Sequence, residues 1–313
     1  MRARRTGVYG ITGAMVATAI LTAATAAGAQ QIYWTVTETS TILRANLDGS
    51  DTEELPTTQF GAPHDLAVDT SNEKIFWTSS DYGQLKSGKS TLLNYGKMLS
   101  ADLDATEVET LFATGKTRII LDATDTHSVI VSGDEGPYGI ALDLPHRKIY
   151  WCEFRGSRIR RCDLDGANVE TLLERAGQAR DIALDLSGEK IYWTTFQGQI
   201  KRANFDGTGV VMLVEGLTNP HGIALDVPRN RIYWADGRIQ RADMGGQNVE
   251  HVWVDENGWA TGIELDLRNN KIYWADYKGQ KIFRADLDGS DVEEVVSSTR
   301  GKPSAIALYL KGN

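Results

Sequence analysis

Residues 271–294 read KIYWADYKGQKIFRADLDGSDVEE, and the Tyr273-Trp274 pair near the start of this stretch is one of six. An aromatic residue followed by Trp recurs as Tyr33-Trp34, Phe76-Trp77, Tyr150-Trp151, Tyr192-Trp193 and Tyr233-Trp234, at intervals of 43, 74, 42, 41 and 40 residues. About ten residues before most pairs lies a short apolar segment ending in Asp: DLAVD, GIALD, DIALD, GIALD, GIELD. After each pair come a segment such as RIRRCDLDG or QIKRANFDG, in most copies an Asp-Gly turn, and a further segment such as VETLL. Four short strands in a period of about 40 residues, with turn residues between them, predict a β-propeller blade. Helical periodicity is absent after residue 29.

The ends of the chain complete the pattern. No IALD-like segment precedes Tyr33-Trp34, whereas SAIALYL at residues 304–310 stands beyond the last pair. If this C-terminal strand becomes the innermost strand of the first blade, the ring closes and no sheet edge is left open there. The expected fold is therefore an all-β, six-bladed propeller of four-stranded antiparallel blades spanning residues 30–313.

The repeat resembles the low-density-lipoprotein-receptor class B, or YWTD, propeller, here as a secreted, bacterial-type member. The resemblance covers nearly all of the chain after residue 29, although the six copies read YWTV, FWTS, YWCE, YWTT, YWAD and YWAD, and none is a complete YWTD. The receptors' EGF-like module and membrane span have no counterpart in the 313 residues. The resemblance thus implies the fold and leaves the receptor's particular task open.

The interval of 74 residues marks two inserts, near 79–96 and 114–136. The second contains IILDATDTHSVIV, which aligns with a first and second strand. It reads either as a decorating hairpin or as a degenerate half blade added to the six.

Residues 1–29 form a segment of another kind. Arg2, Arg4 and Arg5 precede a weakly apolar stretch, Val8–Leu21, and Ala27-Gly28-Ala29 has the A-x-A pattern of a cleavage site. This predicts a secretory signal peptide and an exported protein, periplasmic or extracellular; the Arg4-Arg5 pair leaves Sec and twin-arginine export both open. Loss of that segment removes three arginines and no acid, so the net charge moves from −9 to −12. Such acidity argues against nucleic acid as a partner. The two cysteines, Cys152 and Cys162, flank EFRGSRIRR. A hairpin centred on Ser157 would place them opposite each other, giving an expected disulfide, with two buried free thiols as the rival reading.

Several strings that match chemical motifs have a context that does not suit the chemistry. GQLKSGKS at 83–90 fits the phosphate-binding loop pattern, but the residues after it return to the repeat before a helix could form. DLDGSD at 286–291 resembles part of a calcium loop, yet its Gly is fourth rather than sixth and the string recurs wherever the third and fourth strands turn. His64 and His221 share the contexts PHDLAVD and PHGIALD but fall in opposite blades, too far apart for one metal. No metal site and no cofactor are expected.

Six-bladed propellers also include calcium-dependent lactonases with acidic and amide residues at the channel mouth. Here the positions before each innermost strand are His64, Tyr138, Arg180, His221, Thr261 and Ser304, with no carboxylate among them, and Glu264 is the one acid out of pattern. In a propeller, the second-to-third-strand loops and the loops entering each innermost strand share one face, the top. That face is expected to gather His64, Tyr82, Tyr138, Phe154, Arg180, Phe196, His221, Trp259 and Tyr277: rigid aromatic anchors with charges nearby, as at protein interfaces. The leading expectation is a monomeric, non-enzymatic module binding a protein, peptide or glycan. The alternative is a metal-dependent hydrolase or lactonase at the channel mouth.

Overall fold

The computed structural model describes residues 30–57, 60–82, 90–113, 117–121, 129–130 and 136–311. The expected signal peptide at 1–29 and most of the GQLKSGKS string lie outside them. Six antiparallel sheets form six blades, five of them four-stranded. Blade 1 runs Pro303–Tyr309, Gln31–Val36, Thr41–Asn46, Glu53–Glu54 from the inside outward, so the C-terminal strand closes the ring. The innermost strands of blades 2 to 6 are Ala62–Asp69, Pro137–Asp143, Ala179–Asp185, Ile223–Asp226 and Ala260–Asp266.

The core is divided among six gaps between blades, and the aromatic pair explains why. Successive side chains on a strand point to opposite faces, so Tyr and Trp of one pair serve two different gaps. Tyr273 of blade 6 packs with Ile32 and Trp34 of blade 1, whereas Trp274 packs with Tyr233 and Ala235 of blade 5. The same alternation runs round the ring. The Trp of each of the six pairs is at most 1% exposed. Each such ring removes roughly 150–250 Å² from water, on the order of 4–6 kcal/mol as an upper bound.

The charged residues of the repeat lock neighbouring strands and blades. Arg284 Nε donates to Glu293 at 2.7 Å, while its Nη1 donates to the Tyr273 hydroxyl and to the Leu47 carbonyl of blade 1, both at 3.3 Å. Lys271 pairs with Asp286 at 2.6 Å across the same hairpin. The lower turn that follows is also frame. Gly289 N–H donates to the Asp286 carbonyl at 2.8 Å and Gly289 takes φ +89°. The left-handed positions of the turn are Gly289 and Asp291, and Asp288 accepts the Ser290 N–H and hydroxyl.

Blade 2 carries both inserts. Its second and third strands, Lys74–Tyr82 and Ser90–Asp102, continue pairing past the usual blade height. Strands Thr117–Leu121 and Val129–Ile130 pair onto this extension, the former against Ser90–Asn94. The described part of the second insert therefore widens blade 2 to six strands rather than starting another blade.

The expected disulfide is not formed. Cys152 lies opposite Ile159 and Cys162 opposite Ile149, because the hairpin turns between residues 155 and 156 rather than at Ser157. The two cysteines are thus three register positions apart on opposite faces of the sheet, one in the gap towards blade 4 and the other in the gap towards blade 2. No disulfide geometry spans a sheet in this way, and both are buried free thiols.

Candidate binding site at the channel mouth

The innermost strands bring their leading residues together around a funnel. A cavity of about 590 Å³ is lined by His64, Tyr138, Phe154, His221, Trp259 and Tyr277, among others. Below it a throat of about 40 Å³ is walled by His64, Tyr138, Arg180 and His221, with Asp65 and Asp181 at its base.

The motif following each aromatic pair sets these residues in place. Thr194, after Tyr192-Trp193, donates its hydroxyl to the His221 carbonyl of the next blade at 2.6 Å, and Thr78 does the same for the Tyr138 carbonyl. In blade 3 the equivalent position is Cys152, whose Sγ accepts the Gly139 N–H at 3.3 Å. That thiol replaces a threonine hydroxyl, and burial pushes it well above the ordinary range. Trp259 is held by Asp276, which accepts its backbone N–H at 2.8 Å and those of Lys278 and Gly279 at 3.1 and 3.0 Å.

The side chains form a continuous aromatic arc. His64 stacks on Tyr138 at 4.5 Å, Tyr138 meets Phe154 at 5.6 Å, and Phe154 meets Phe196 edge-on at 5.7 Å. The Arg180 guanidinium lies 4.7 Å from the Phe196 ring centre and 5.7 Å from that of Phe154. Its Nη1 donates to Asn219 Oδ1 at 2.7 Å and to His221 Nε2. Burial, together with the Arg180 charge, lowers His221 to about 3, so it is neutral and accepts. Burial alone lowers His64 to about 4, and its Nε2 lies 2.8 Å from Ser80 Oγ. On the rim, Lys302 sits 5.2 Å over Tyr277 and pairs with Glu38 at 3.0 Å.

The structure thus joins Tyr138, Phe154, Arg180, Phe196, His64 and His221, with Trp259 and Tyr277 on the far wall. Tyr82 ends a strand of blade 2, and its side chain lies outside the described set. Asp276 and Asp236 are both buried, and Asp236 accepts from Arg238 Nη2 at 3.4 Å.

Sequence reasoning missed the acids of the throat. Asp65 and Asp181 stand one position after His64 and Arg180, where the other innermost strands carry Gly139, Gly222, Gly262 and Ala305. A carboxylate in a Gly/Ala column was the available signal. Asp65 accepts the N–H groups of Leu66 and of Ile140 in the next blade, both at 2.8 Å. Asp181 does the same with Ile182 at 2.7 Å and Ile223 at 2.8 Å. The two buried carboxyls lie close enough to influence each other's charge. Burial raises both carboxyls above the ordinary range, and the charge of Asp181 raises Asp65 further. Glu264 in blade 6 is raised to about 7, chiefly by burial. Among the described residues no three His, Cys, Asp or Glu side chains converge to hold a metal ion.

Comparison with known proteins places the repeat. Residues 270–310 match the family model for the low-density lipoprotein receptor repeat class B. A human low-density lipoprotein receptor-related protein 5-like protein is 32% identical over 156 residues, 46% of this chain and 62% of that protein. The chain therefore matches less than two thirds of that relative. Among solved structures, a chain of the nidogen/laminin complex superposes with a TM-score of 0.71 at 18% identity, covering 90% of this chain and all of that one. A 6-phosphogluconolactonase-like protein from Bacteroides uniformis gives 0.53 at 12% identity over 90% of this chain and 99% of the other. Both structural likenesses concern the fold.

Proposed function

We propose that the chain is an exported, non-enzymatic binding module whose top face captures a protein or peptide partner. The observation that carries this reading is the arc from His64 to Phe196 around Arg180: preformed, rigid aromatic surface beside a cation, at the mouth of a funnel. Interfaces concentrate their binding energy on such anchors. Phe196 is 50% exposed and Tyr277 38%, so neither ring is required to fill a gap between blades. The similarity of one repeat to those of lipoprotein receptors supports the same reading. A glycan partner and a monomeric state belong to the proposal on the strength of the sequence alone, as do residues 1–29 as a signal peptide.

The test is affinity capture from the extracytoplasmic fraction of the native cell, with the wild type beside a Phe196→Ala, Tyr277→Ala double variant. Because both rings are exposed, the variant should melt like the wild type and lose the partner by at least tenfold. Equal capture by the two proteins would sink the reading.

The hydrolase alternative would rest on the throat acids. Asp65 and Asp181 are already engaged with four backbone N–H groups, a satisfied arrangement rather than an open ligand set. Stoichiometric metal in the purified protein, coupled to lactone hydrolysis, would reverse that preference.

A further inference from the structure

Arg180 differs from the ion-paired arginines of the frame. Arg44, Arg161, Arg241 and Arg284, on the third strands of their blades, each pair with a glutamate on the neighbouring outer strand. Arg180 has no carboxylate partner among the described residues. Its two hydrogen-bonded contacts, Asn219 and His221, are neutral, and its remaining neighbours are the faces of Phe154 and Phe196. Consistent with that, burial pulls its guanidinium below the ordinary value, the nearby Tyr138 opposing weakly. A desolvated cation without a counter-ion is costly unless a partner supplies one. The carboxyls below do not, since Asp65 and Asp181 accept backbone N–H groups of their own and of the next blade and make no ion pair with Arg180.

We propose that the throat binds a carboxylate, presented as an Asp or Glu side chain on an extended segment of a partner protein, with Arg180 as its ion partner. This rests on the top-face reading and gives it a chemistry. The throat, about 40 Å³, admits a carboxyl on a slim methylene stem and not the ring of an acidic sugar. The wider funnel above, about 590 Å³ and rich in aromatic rings, takes the flanking residues. The planar guanidinium, already fixed by Asn219 and by stacking on Phe196, keeps its outer N–H groups for a charge-assisted pair.

The probe is an array of acetylated hexapeptides with randomised flanks and a fixed central Asp, Glu, Asn or Gln, printed beside glucuronate-terminated oligosaccharides. The wild type is expected to retain acid-centred peptides at least about tenfold over their amide isosteres. Arg180→Gln should remove that preference at an unchanged melting temperature, and Arg180→Lys should keep part of it. Retention blind to the acid, or an acid preference that survives Arg180→Gln, overturns the carboxylate site while peptide capture itself still stands. Retention of glucuronate over every peptide overturns the choice of a protein segment. Retention of nothing overturns the site, and the native capture experiment, scored separately, then decides the top-face reading.

Discussion

Glu264 occupies a position where the other innermost strands carry Ala67, Ala141, Ala183, Ala224 and Ala307. Burial raises its carboxyl from 4.5 to about 7, with the charge of Asp181 adding to the effect. The folded chain therefore holds a proton that the unfolded chain has released between those two values. Its contribution to stability is complete below about pH 4.5 and is lost as pH rises through about 7. Glu264→Gln, which cannot ionise, should be near neutral at pH 4.5 and stabilising by on the order of 2–3 kcal/mol at pH 8. Paired denaturant titrations at the two pH values measure this, and a stability difference that does not change with pH would refute the assignment. At this scale the sequence was only partly legible. The period places His64, Tyr138, Arg180, His221, Thr261 and Ser304 at matching positions, although all but His221 lie inside the innermost strands rather than before them. Asp65 and Asp181 escaped because their role depends on the next blade's N–H groups, and Cys152 was misread because its partner is a register position and not the other cysteine.

The lower turn is the element in which local chemistry and packing coincide. Gly289 takes φ +89°, and a Cβ there would stand 2.0 Å from the Val252 carbonyl of the preceding blade. Gly49, Gly166, Gly207 and Gly246 meet Val295, Leu111, Leu172 and Leu213 in the same manner. The recurring Gly of the DG turn thus permits both a left-handed residue and the close approach of one blade to the last. Gly289→Ala should cost on the order of 2–4 kcal/mol by thermal or urea unfolding. Gly245→Ala, one residue before the equivalent Gly of blade 5 and with open space around it, should stay within about 0.5 kcal/mol. Equal effects of the two would leave the blade contact without a role. The turn itself was readable in the sequence as a hairpin signal, but its contact with another blade was not, since the partner lies some 40 residues away and leaves no local mark.

At the scale of the whole molecule, the count of blades and the closure of the ring follow from six aromatic pairs and one displaced strand, which is why the sequence sufficed for both. Closure has an energetic consequence that repeat proteins of open form do not share. In an open array each repeat touches only its neighbours and the ends can fray, whereas here Pro303–Tyr309 serves two gaps at once. Ile306 and Leu308 pack towards blade 6, and Ala307 and Tyr309 pack towards blade 2. The segment before it accepts Trp34 Nε1 at the Thr299 carbonyl, and Tyr309 and Lys311 reach Glu73 at 3.1 and 2.9 Å. Ending the chain at Ser298 would open two of the six gaps and leave Gln31–Val36 as an unpaired edge. The loss exceeds the roughly 5–15 kcal/mol by which folded proteins are stable, so the truncated chain should lack the near-ultraviolet signal of packed tryptophans across all blades. A synthetic peptide of residues 299–311 added in trans should restore that signal in proportion to its concentration. A truncated chain that retains a cooperative transition near the wild-type temperature would mean that the blades stand on their own and the ring is not the unit of stability.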